Sequence, residues 1–382
     1  MVKAVVTNVL CILVLLILSS LVNALPSQRV QLDETQLLDL FDFHPPFPSL
    51  DPNYRSIRTT SDLNSTLKKD GKKETVALLT PMLIPRPPGS HNSTLVQKHI
   101  TAHFESLKSW TTMVDSFADV VPEYGGVSGL LNFTNLVFRL TPPGSEERPA
   151  RYLTLVAHYD SKIDPFGFIG AIDSAVPCAI LMYLAESLTE TVLKRWNSNL
   201  VGAAEDIGLQ IIFMDGEEAL VKWTSQDSLY GARHLANVWE NEKRATSRGR
   251  LSAIEDIDLF VLLDLLGAKD SSVPCYYGTT SWACRELRAA EDASRAAGIA
   301  RSNKNKPFVR ATDVMNNVMI DDDHMPFLRR GTPVLHLIPV PFPDTWHTMD
   351  DDGEHLSSEA VHDWAVFVTA WVAGYLGLGE FI

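Results

Sequence analysis

Three acidic residues follow an apolar run in the segment Phe213 to Leu220, which reads FMDGEEAL. Asp215, Glu217 and Glu218 lie within four positions of one another. Carboxylates this close raise one another's pKa and lose solvation energy once they are buried. A solvated turn would hold them at little cost. A bound cation would also hold them, because its charge offsets their repulsion.

Other predicted strands also end in residues that can bind a metal. These residues are His158, Asp160 and, beyond the following loop, Asp173; then Asp215, Glu217 and Glu218; then Asp264; and finally His347. In an open α/β sheet the carboxyl ends of the strands line one crevice, where ligands bind. Carboxylate oxygen and imidazole nitrogen are ligands of Zn²⁺, and a catalytic zinc site keeps one position open. The pattern therefore predicts a metal site at this edge.

Each of these residues also has an ordinary structural explanation when it is considered alone. An Asp before a helix is usually an N-cap, and adjacent Glu residues in a turn are usually solvated. A lone His after a strand is usually hydrogen-bonded within the fold. The prediction of a metal site therefore depends on the joint appearance of these residues at successive strand ends.

The strands that would position these residues are near-continuous hydrophobic runs, which is typical of strands covered on both faces. The predicted strands are Leu136–Leu140, Arg151–Tyr159, Gly208–Asp215, Leu259–Gly267 and Pro333–Pro339. Helical patterns begin at Ser174, Ser228, Trp282 and Ser358. The alternation predicts an α/β fold with a mostly parallel sheet and helices on both sides. The last helical pattern is very apolar and predicts a buried core helix.

The N-terminus predicts a secretory signal peptide over residues 1–24, with Lys3, an apolar core from Val9 to Leu18 and an exit at Ala24. The apolar core is roughly ten residues, short of the ~20 that a membrane span needs, so a retained anchor is the less favoured alternative. The polar, proline-containing composition of residues 25–75 predicts an N-terminal arm with one short helix near Glu34 to Leu40. We expect residues 76–382 to form a single domain.

The charge balance and the glycosylation motifs limit the partners and the compartment. The chain has 33 basic and 47 acidic residues, a net charge of −14, and no basic patch interleaved with aromatic residues. We therefore expect no nucleic-acid partner. We also expect a monomer with no stable membrane span in the mature chain. Sequons at Asn64, Asn92 and Asn132 predict a secreted glycoprotein, with retention in the Golgi lumen as the alternative.

Four cysteines are present, and Cys11 would leave with the signal peptide. Three cysteines remain, which is an odd number for an oxidising compartment. Cys275 and Cys284 flank a short segment and are the candidate disulfide pair. Cys178 lies in an apolar run and predicts a buried free thiol. Because the sequence has no Cys-x-x-Cys pair, a zinc site built from cysteines is excluded.

The order His-x-Asp, Asp, Glu-Glu, Asp, His resembles that of zinc aminopeptidases with a bacterial-type catalytic domain. Longer motifs are more similar to those of the glutaminyl-peptide cyclotransferases, which share that fold. These motifs are IPRPPGS (Ile84–Ser90), AHYDSK (Ala157–Lys162), GAIDSAVPCA (Gly170–Ala179), FMDGEEAL, WTSQDSLYGARHLA (Trp223–Ala236), LLDLLGA (Leu262–Ala268) and DDHMPFLRRGTPVLHLIPVPFPDTWHTMDDD (Asp322–Asp352). The resemblance extends from about Leu78 to the end of the chain. It implies a three-layer α/β/α sandwich with a central mixed, mostly parallel sheet.

The resemblance implies one zinc ion per chain, bound by Asp173, Glu218 and His347. It implies a catalytic domain that converts the N-terminal glutamine of peptides and proteins to pyroglutamate and releases ammonia. N-terminal glutamate is a second candidate substrate. Zinc would act as a Lewis acid, and Glu217 would transfer the proton as a general acid and base.

Five further positions also receive roles from the resemblance. Asp264 and Asp322 would form a hydrogen-bonded acidic network beside the general acid and base. Trp223, Phe342 and Trp346 would line the pocket for the substrate side chain and displace water from it. For tryptophan in general, plain core packing is the alternative.

Two other functions are considered. A two-zinc aminopeptidase would use the same ligand types, with His158 and Asp264 completing a second metal site. A non-catalytic ectodomain that kept the fold is disfavoured, because all three implied ligands are present. One position departs from many secreted animal members, which carry a cysteine directly before His-Tyr-Asp that is bridged to the one in AVPC. This chain has Ala157 there, so that disulfide cannot form and Cys178 is left unpaired.

Overall fold

The computed structural model describes residues 29–43, 50, 77–124, 127–145, 150–198, 207–246, 249–302, 306–315 and 319–382. The predicted signal peptide, most of the predicted N-terminal arm and the sequon at Asn64 lie outside these residues. The short helix predicted in the arm is present as α1, Glu34–Phe43.

Six of the strands in the described residues form one central sheet, and the other four form two small sheets. The strands are β1 (Thr111–Tyr124), β2 (Val127–Leu140), β3 (Arg151–His158), β4 (Ile207–Met214), β5 (Lys243–Thr246), β6 (Gly249–Ser252), β7 (Ile257–Leu263), β8 (Val273–Cys275), β9 (Val309–Val314) and β10 (Val334–Leu337). The order in the central sheet is β1-β2-β4-β3-β7-β10. Strands β4, β3, β7 and β10 run parallel, whereas β2 is antiparallel to both of its neighbours. The predicted mixed, mostly parallel sheet is confirmed.

Helices cover both faces of this sheet. The remaining helices are α2 (His91–Ser106), α3 (Val176–Asn197), α4 (Tyr230–Asn241), α5 (Ser281–Ala296), α6 (Met325–Leu328) and α7 (Ser358–Tyr375). Leu155 of β3 belongs to the core cluster that contains α3, α5 and α7. The next residue, Val156, belongs to the cluster that contains Leu235 and Trp239 of α4. Successive strand residues point to opposite faces, so this division confirms the three-layer α/β/α sandwich.

The sequence prediction missed the long strand β1 and helix α2, and also the short elements β5, β6, β8, β9 and α6. Strand β1 is the sheet edge, and its residues alternate between exposed and half-buried, so its hydrophobic signal is weak. The strand predicted at Leu136–Leu140 is the end of the longer β2, which pairs with β1 along most of its length. Helix α2 buries Val96, Ile100 and Phe104 at four-residue spacing, but most of its other residues are polar.

The most apolar helices are core helices. Within the described residues, the helical stretch Ala171–Asn197 is long and apolar enough to cross a membrane, but 94% of its most apolar part is buried inside the protein. The C-terminal helix α7 is buried as predicted, with Trp364 and Phe367 fully enclosed. These apolar surfaces contact other parts of the protein rather than solvent.

The cysteines have the arrangement that the sequence suggested. Cys275 and Cys284 form a disulfide that joins β8 to α5, with their Cα atoms 5.9 Å apart. Cys178 is a buried free thiol in α3, and its Sγ donates to the carbonyl of His158 at 3.1 Å. Burial raises the pKa of Cys178 to about 12, so this thiol stays protonated and unreactive at neutral pH.

A buried arginine ties three segments together beneath the C-terminal edge of the sheet. Arg86 is fully buried, and its guanidinium donates to the carbonyls of Met82 at 3.1 Å, Tyr159 at 2.6 Å and Gly170 at 3.0 Å. It also donates to the carbonyl of Ile169. Arg86 therefore connects the segment before α2, the end of β3 and the loop that leads into α3.

Replacing Arg86 tests how much these hydrogen bonds contribute to the stability of the folded protein. We expect Arg86→Met to lower the free energy of unfolding by about 3 kcal/mol or more, because several buried carbonyls lose their donor. Urea denaturation measures the change. The control is Arg285→Met on the exposed side of α5, which should shift the free energy by less than about 0.5 kcal/mol. Equal stability of the two variants would contradict the proposed contribution of Arg86.

Candidate metal centre and active site

The predicted site residues meet at the C-terminal edge of the central sheet. Strand β3 ends at His158, β4 ends just before Asp215, and β7 ends just before Asp264. Asp173 lies in a turn directly before α3, and His347 lies in the loop after β10. The parallel strands thus bring residues from distant parts of the chain to one edge.

Three of these residues form a group that can hold a metal ion. Nε2 of His347 lies 3.4 Å from Oδ2 of Asp173 and 3.5 Å from Oε1 of Glu218. These two carboxylate oxygens are buried and have no hydrogen-bond partner. Burying an unpaired carboxylate oxygen is costly, and a cation would offset that cost. One nitrogen and two oxygens form a donor set suited to zinc, so these residues fit the ion.

The turn that carries Asp173 requires a glycine before it. Gly170 has a φ of +65°, and a Cβ at this position would lie 2.1 Å from the carbonyl oxygen of Asp173. The following residues, Ala171–Ala175, form a single wide turn, and the peptide bond between Asp173 and Ser174 is cis. The tight backbone directs the Asp173 carboxylate towards His347.

The loop that carries His347 is bonded to the same turn. Oδ1 of Asp351 accepts from the backbone N–H of Ile172 at 2.7 Å, and the Asp351 carbonyl accepts from Ala171 at 3.1 Å. The ring of Trp346 stacks on the ring of His347, with centroids 4.0 Å apart. The segments that carry Asp173 and His347 are far apart in the sequence, and these contacts hold them next to each other.

A single aspartate orients the two adjacent glutamates. Asp160 accepts from the backbone N–H of Glu217 at 3.1 Å and of Glu218 at 3.2 Å. Gly216 supports the same turn with a φ of +69°. Nζ of Lys162 lies 3.3 Å from Oε2 of Glu218, which leaves Oε1 facing His347. The two glutamates therefore have different environments although they are adjacent.

Glu217 has the properties of a proton carrier. Its side chain is buried, and burial raises its pKa well above the ordinary value. The nearby charge of His158 opposes this rise, whereas the carboxylates of Glu218 and Asp322 add to it. A carboxyl group with a raised pKa can take up and release a proton at neutral pH.

Asp322 is close enough to Glu217 to raise its pKa, and Asp264 lies 3.5 Å from His158, and each is bonded to a partner to which the sequence analysis gave no role in the site. Asp264 accepts from the hydroxyl of Ser174, and Asp322 contacts Nε2 of His336 at 2.7 Å. Ser174 directly follows a predicted ligand, and His336 is the polar residue of the apolar strand β10. Those positions are the only sequence signals that could have indicated these two partners.

His158 lies among the carboxylates. Its Nε2 is 2.9 Å from Asp173 and 3.5 Å from Asp264, and its Nδ1 is 3.4 Å from Asp160. Burial lowers the pKa of His158, but these three carboxylates raise it well above the ordinary value. His158, Asp173 and Asp264 are also close enough together to hold a cation, as the two-zinc alternative requires.

Two of the three predicted pocket aromatics, Trp223 and Trp346, lie in exposed loops beside the candidate site, whereas Phe342 is half-buried and also packs against the core. Trp346 and Phe342 pack edge to face, with ring centroids 4.7 Å apart. Trp223 follows the glutamate turn, and its Nε1 donates to Asp321 at 3.2 Å. The side chains of Trp223 and Trp346 are each 37% exposed, which excludes plain core packing for both.

Fold and site together define a class, the three-layer α/β/α proteins with a candidate metal centre at the C-terminal edge of the sheet. Residues 135–372 match the model of peptidase family M28. The chain is 38% identical to the glutaminyl-peptide cyclotransferase of Boiga irregularis over 308 residues, which cover 79% of this chain and 80% of the relative. It is 40% identical to the glutaminyl-peptide cyclotransferase-like protein of Bos taurus over 304 residues, covering 78% and 74%. The chain belongs to the glutaminyl-peptide cyclotransferases of peptidase family M28.

Solved structures agree with this family. The glutaminyl cyclase of Macrostomum lignano superposes with a TM-score of 0.68 at 36% identity and covers 78% of this chain and 87% of its own. A Zn-dependent exopeptidase from Parabacteroides distasonis superposes with a TM-score of 0.53 at 19% identity, covering 75% and 91%. The second similarity concerns the fold alone.

Metal binding can be tested on the free protein. We expect one zinc ion per chain, and we expect His347→Ala to weaken zinc affinity at least about a hundredfold because one of three ligands is removed. Competition with a chromophoric chelator measures both the affinity and the stoichiometry. His355→Ala, an exposed histidine in the same loop region, is the control. Unchanged affinity in His347→Ala would exclude this residue as a ligand, and two ions per chain would favour the two-zinc alternative.

Proposed function

We propose that this enzyme converts the N-terminal glutamine of peptides and proteins to pyroglutamate with release of ammonia, using one zinc ion. The observation that carries the proposal is the pair of unpartnered oxygens on Asp173 and Glu218, which face His347 beside the protonatable Glu217. The names of the relatives support the same reaction.

The adjacent glutamates divide the work of the reaction. When bound, zinc would supply a Lewis acid that withdraws electrons from the side-chain carbonyl of the substrate glutamine. Glu217 accepts a proton from the substrate α-amine as the amine attacks the carbonyl carbon of the γ-carboxamide. Glu217 then returns the proton to the amide nitrogen, so that the new C–N bond forms as the old one breaks and ammonia leaves.

The neighbouring acids adjust the proton affinity of Glu217. The negative charge of Asp322 raises the pKa of Glu217 through space. A hydrogen bond from Ser174 holds Asp264 in place, and a hydrogen bond between His336 and Asp322 holds Asp322. We infer that Asp322 keeps Glu217 basic enough to accept the proton of the amine, and that Asp264 acts through His158, which it contacts at 3.5 Å.

The aromatic residues beside the site would determine the conformation of the substrate side chain. The attacking amine and the γ-carbonyl belong to the same residue, so the enzyme mainly has to fold that side chain into an attacking conformer. Phe342 and Trp346 stand next to the ligand His347, and Trp223 stands on the loop after the glutamates. These three side chains form walls that favour the curled conformer and exclude water.

Incubation with a Gln-initiated peptide, followed by mass spectrometry for loss of ammonia, tests the reaction. We expect turnover by the unsubstituted enzyme and a reduction of about a hundredfold or more in Glu217→Gln, the range lost with a general acid and base. Zinc content should remain unchanged in this variant, because its ligands are intact.

Other outcomes of this experiment would contradict the assignment. Full turnover by Glu217→Gln would remove its proposed role, and loss of zinc would mean that the roles of the two glutamates are exchanged. Hydrolysis of an unblocked leucyl anilide, with no cyclisation of the glutamine peptide, would identify an aminopeptidase instead.

We also propose that the chain passes through the secretory pathway and is glycosylated there. Asn132 of β2 is exposed, whereas Asn92 is half-buried at the start of α2 and its Nδ2 donates to the carbonyl of Pro85 at 2.7 Å. A sugar attached to Asn92 would be crowded by the surrounding protein. The disulfide between Cys275 and Cys284 is consistent with an oxidising compartment.

Of the two sequons in the described residues, we expect Asn132 to carry the glycan. The protein would be expressed in glycosylating cells, treated with a peptide-N-glycosidase in ¹⁸O-labelled water, which converts a glycosylated Asn to a labelled Asp, and mapped by mass spectrometry. Asn132→Gln should remove the mass shift, and Asn92→Gln should retain it. A glycan on Asn92 with none on Asn132 would contradict the argument from exposure.

A further inference from the structure

Exposed apolar side chains are concentrated around the mouth of the active site. Thirteen large apolar residues in the described part of the chain are exposed, and six of these lie in the loops that carry the site residues. The six are Phe166, Val221, Trp223, Met319, Trp346 and Met349. Clustered exposed apolar surface loses solvation energy and is typical of a binding region. Trp223 and Trp346 already have a proposed role in the pocket, whereas the others do not.

Phe166 is the most exposed of these residues, with 96% of its side chain open to solvent. It lies at the tip of a tight turn in which the N–H of Phe168 donates to the carbonyl of Pro165 at 3.0 Å. The next ring, Phe168, is completely buried. The core therefore accounts for Phe168 but leaves Phe166 without a structural role.

Both ends of this loop contact proposed zinc ligands. At its start, Nζ of Lys162 lies 3.3 Å from Oε2 of Glu218. At its end, the ring of Phe168 packs edge to face on His347, with centroids 6.3 Å apart. The short loop is thus anchored on two sides of the metal group, and the exposed Phe166 lies in its middle.

Met349 lies beside the same turn. It follows His347 by two residues, and its side chain is 52% exposed. A Cβ placed on Gly167 would lie 3.7 Å from Cε of Met349, which shows how near the two loops are. Phe166 and Met349 are therefore two exposed apolar side chains on neighbouring loops that both lead to His347. We call this pair the apolar lip.

The position of the apolar lip matches the path of a bound peptide. If the N-terminal residue occupies the site beside His347, the second residue lies about 3.3–3.6 Å of chain further out, at the entrance. We propose that the apolar lip binds the side chain of this second residue and makes the enzyme select peptides with a large apolar residue there. This inference rests on the proposed function.

A peptide series that varies only at the second residue tests the lip. Three peptides that begin with glutamine would carry Gly, Phe or Lys next, and kcat/KM would be measured for each. We expect the Phe peptide to exceed the Gly peptide about threefold to tenfold, as expected for partial burial of one aromatic side chain. We expect the double variant Phe166→Ser with Met349→Ser to reduce this ratio to below about twofold, mainly through KM.

A matched control replaces an exposed apolar residue away from the site. Val238→Ser on α4 removes a partly exposed apolar side chain outside the site loops and should retain the full ratio. Three outcomes would overturn the proposed role of the apolar lip. They are a ratio that persists in the double variant, no discrimination between the Phe and Gly peptides by the unsubstituted enzyme, and a preference for the Lys peptide. If the Gly peptide is cyclised normally in these cases, the proposed function still stands. Failure to cyclise any of the three peptides would overturn the proposed function and the lip with it.

Discussion

Electrostatic repulsion among buried carboxyl groups is the constraint on which the rest of this site depends. The buried carboxyl groups at the C-terminal edge of the sheet include Asp160, Asp173, Asp215, Glu217, Glu218, Asp264, Asp322, Asp323 and Asp351. Such a cluster is unfavourable unless each charge is paired or neutralised. The imidazole of His158, the ammonium of Lys162 and several backbone N–H groups offset part of the repulsion. The oxygens of Asp173 and Glu218 that face His347 remain unpartnered, and a divalent cation fits there.

The fold holds this cluster together by connecting loops that are far apart in the chain. Arg86 binds the carbonyls around the loop before α3, Asp160 binds the glutamate turn, and Asp351 binds the turn that carries Asp173. Each of these three residues is itself buried and charged or polar. Burying these polar groups costs free energy. Because each one bonds to a partner on a different segment, the same groups also fix the positions of the loops that carry the site residues.

The fold of this chain is shared by proteins that are named for two different chemistries. A glutaminyl cyclase and a Zn-dependent exopeptidase both superpose on its α/β/α sandwich. In this chain His158 lies among Asp160, Asp173 and Asp264, and the group of His158, Asp173 and Asp264 could itself hold a cation. Phe342 packs on Trp346, which stacks on His347. The proposed single zinc ion, proton carrier and aromatic walls would suit intramolecular attack, in which no activated water is required.

The sequence by itself determined the strands β3, β4, β7 and β10 and the end of β2, because strands buried on both faces appear in the sequence as continuous apolar runs. It also determined which chemical groups follow them, and the long motifs around Asp173, Glu218 and His347 indicated the family. Only the tertiary structure decided which oxygens are unpartnered, which partners hold the acids in place, and where Phe166 projects. The physical reason is that these properties arise from contacts between segments many residues apart. Edge strand β1 was missed for a related reason, since its one-sided contacts leave no continuous apolar signal.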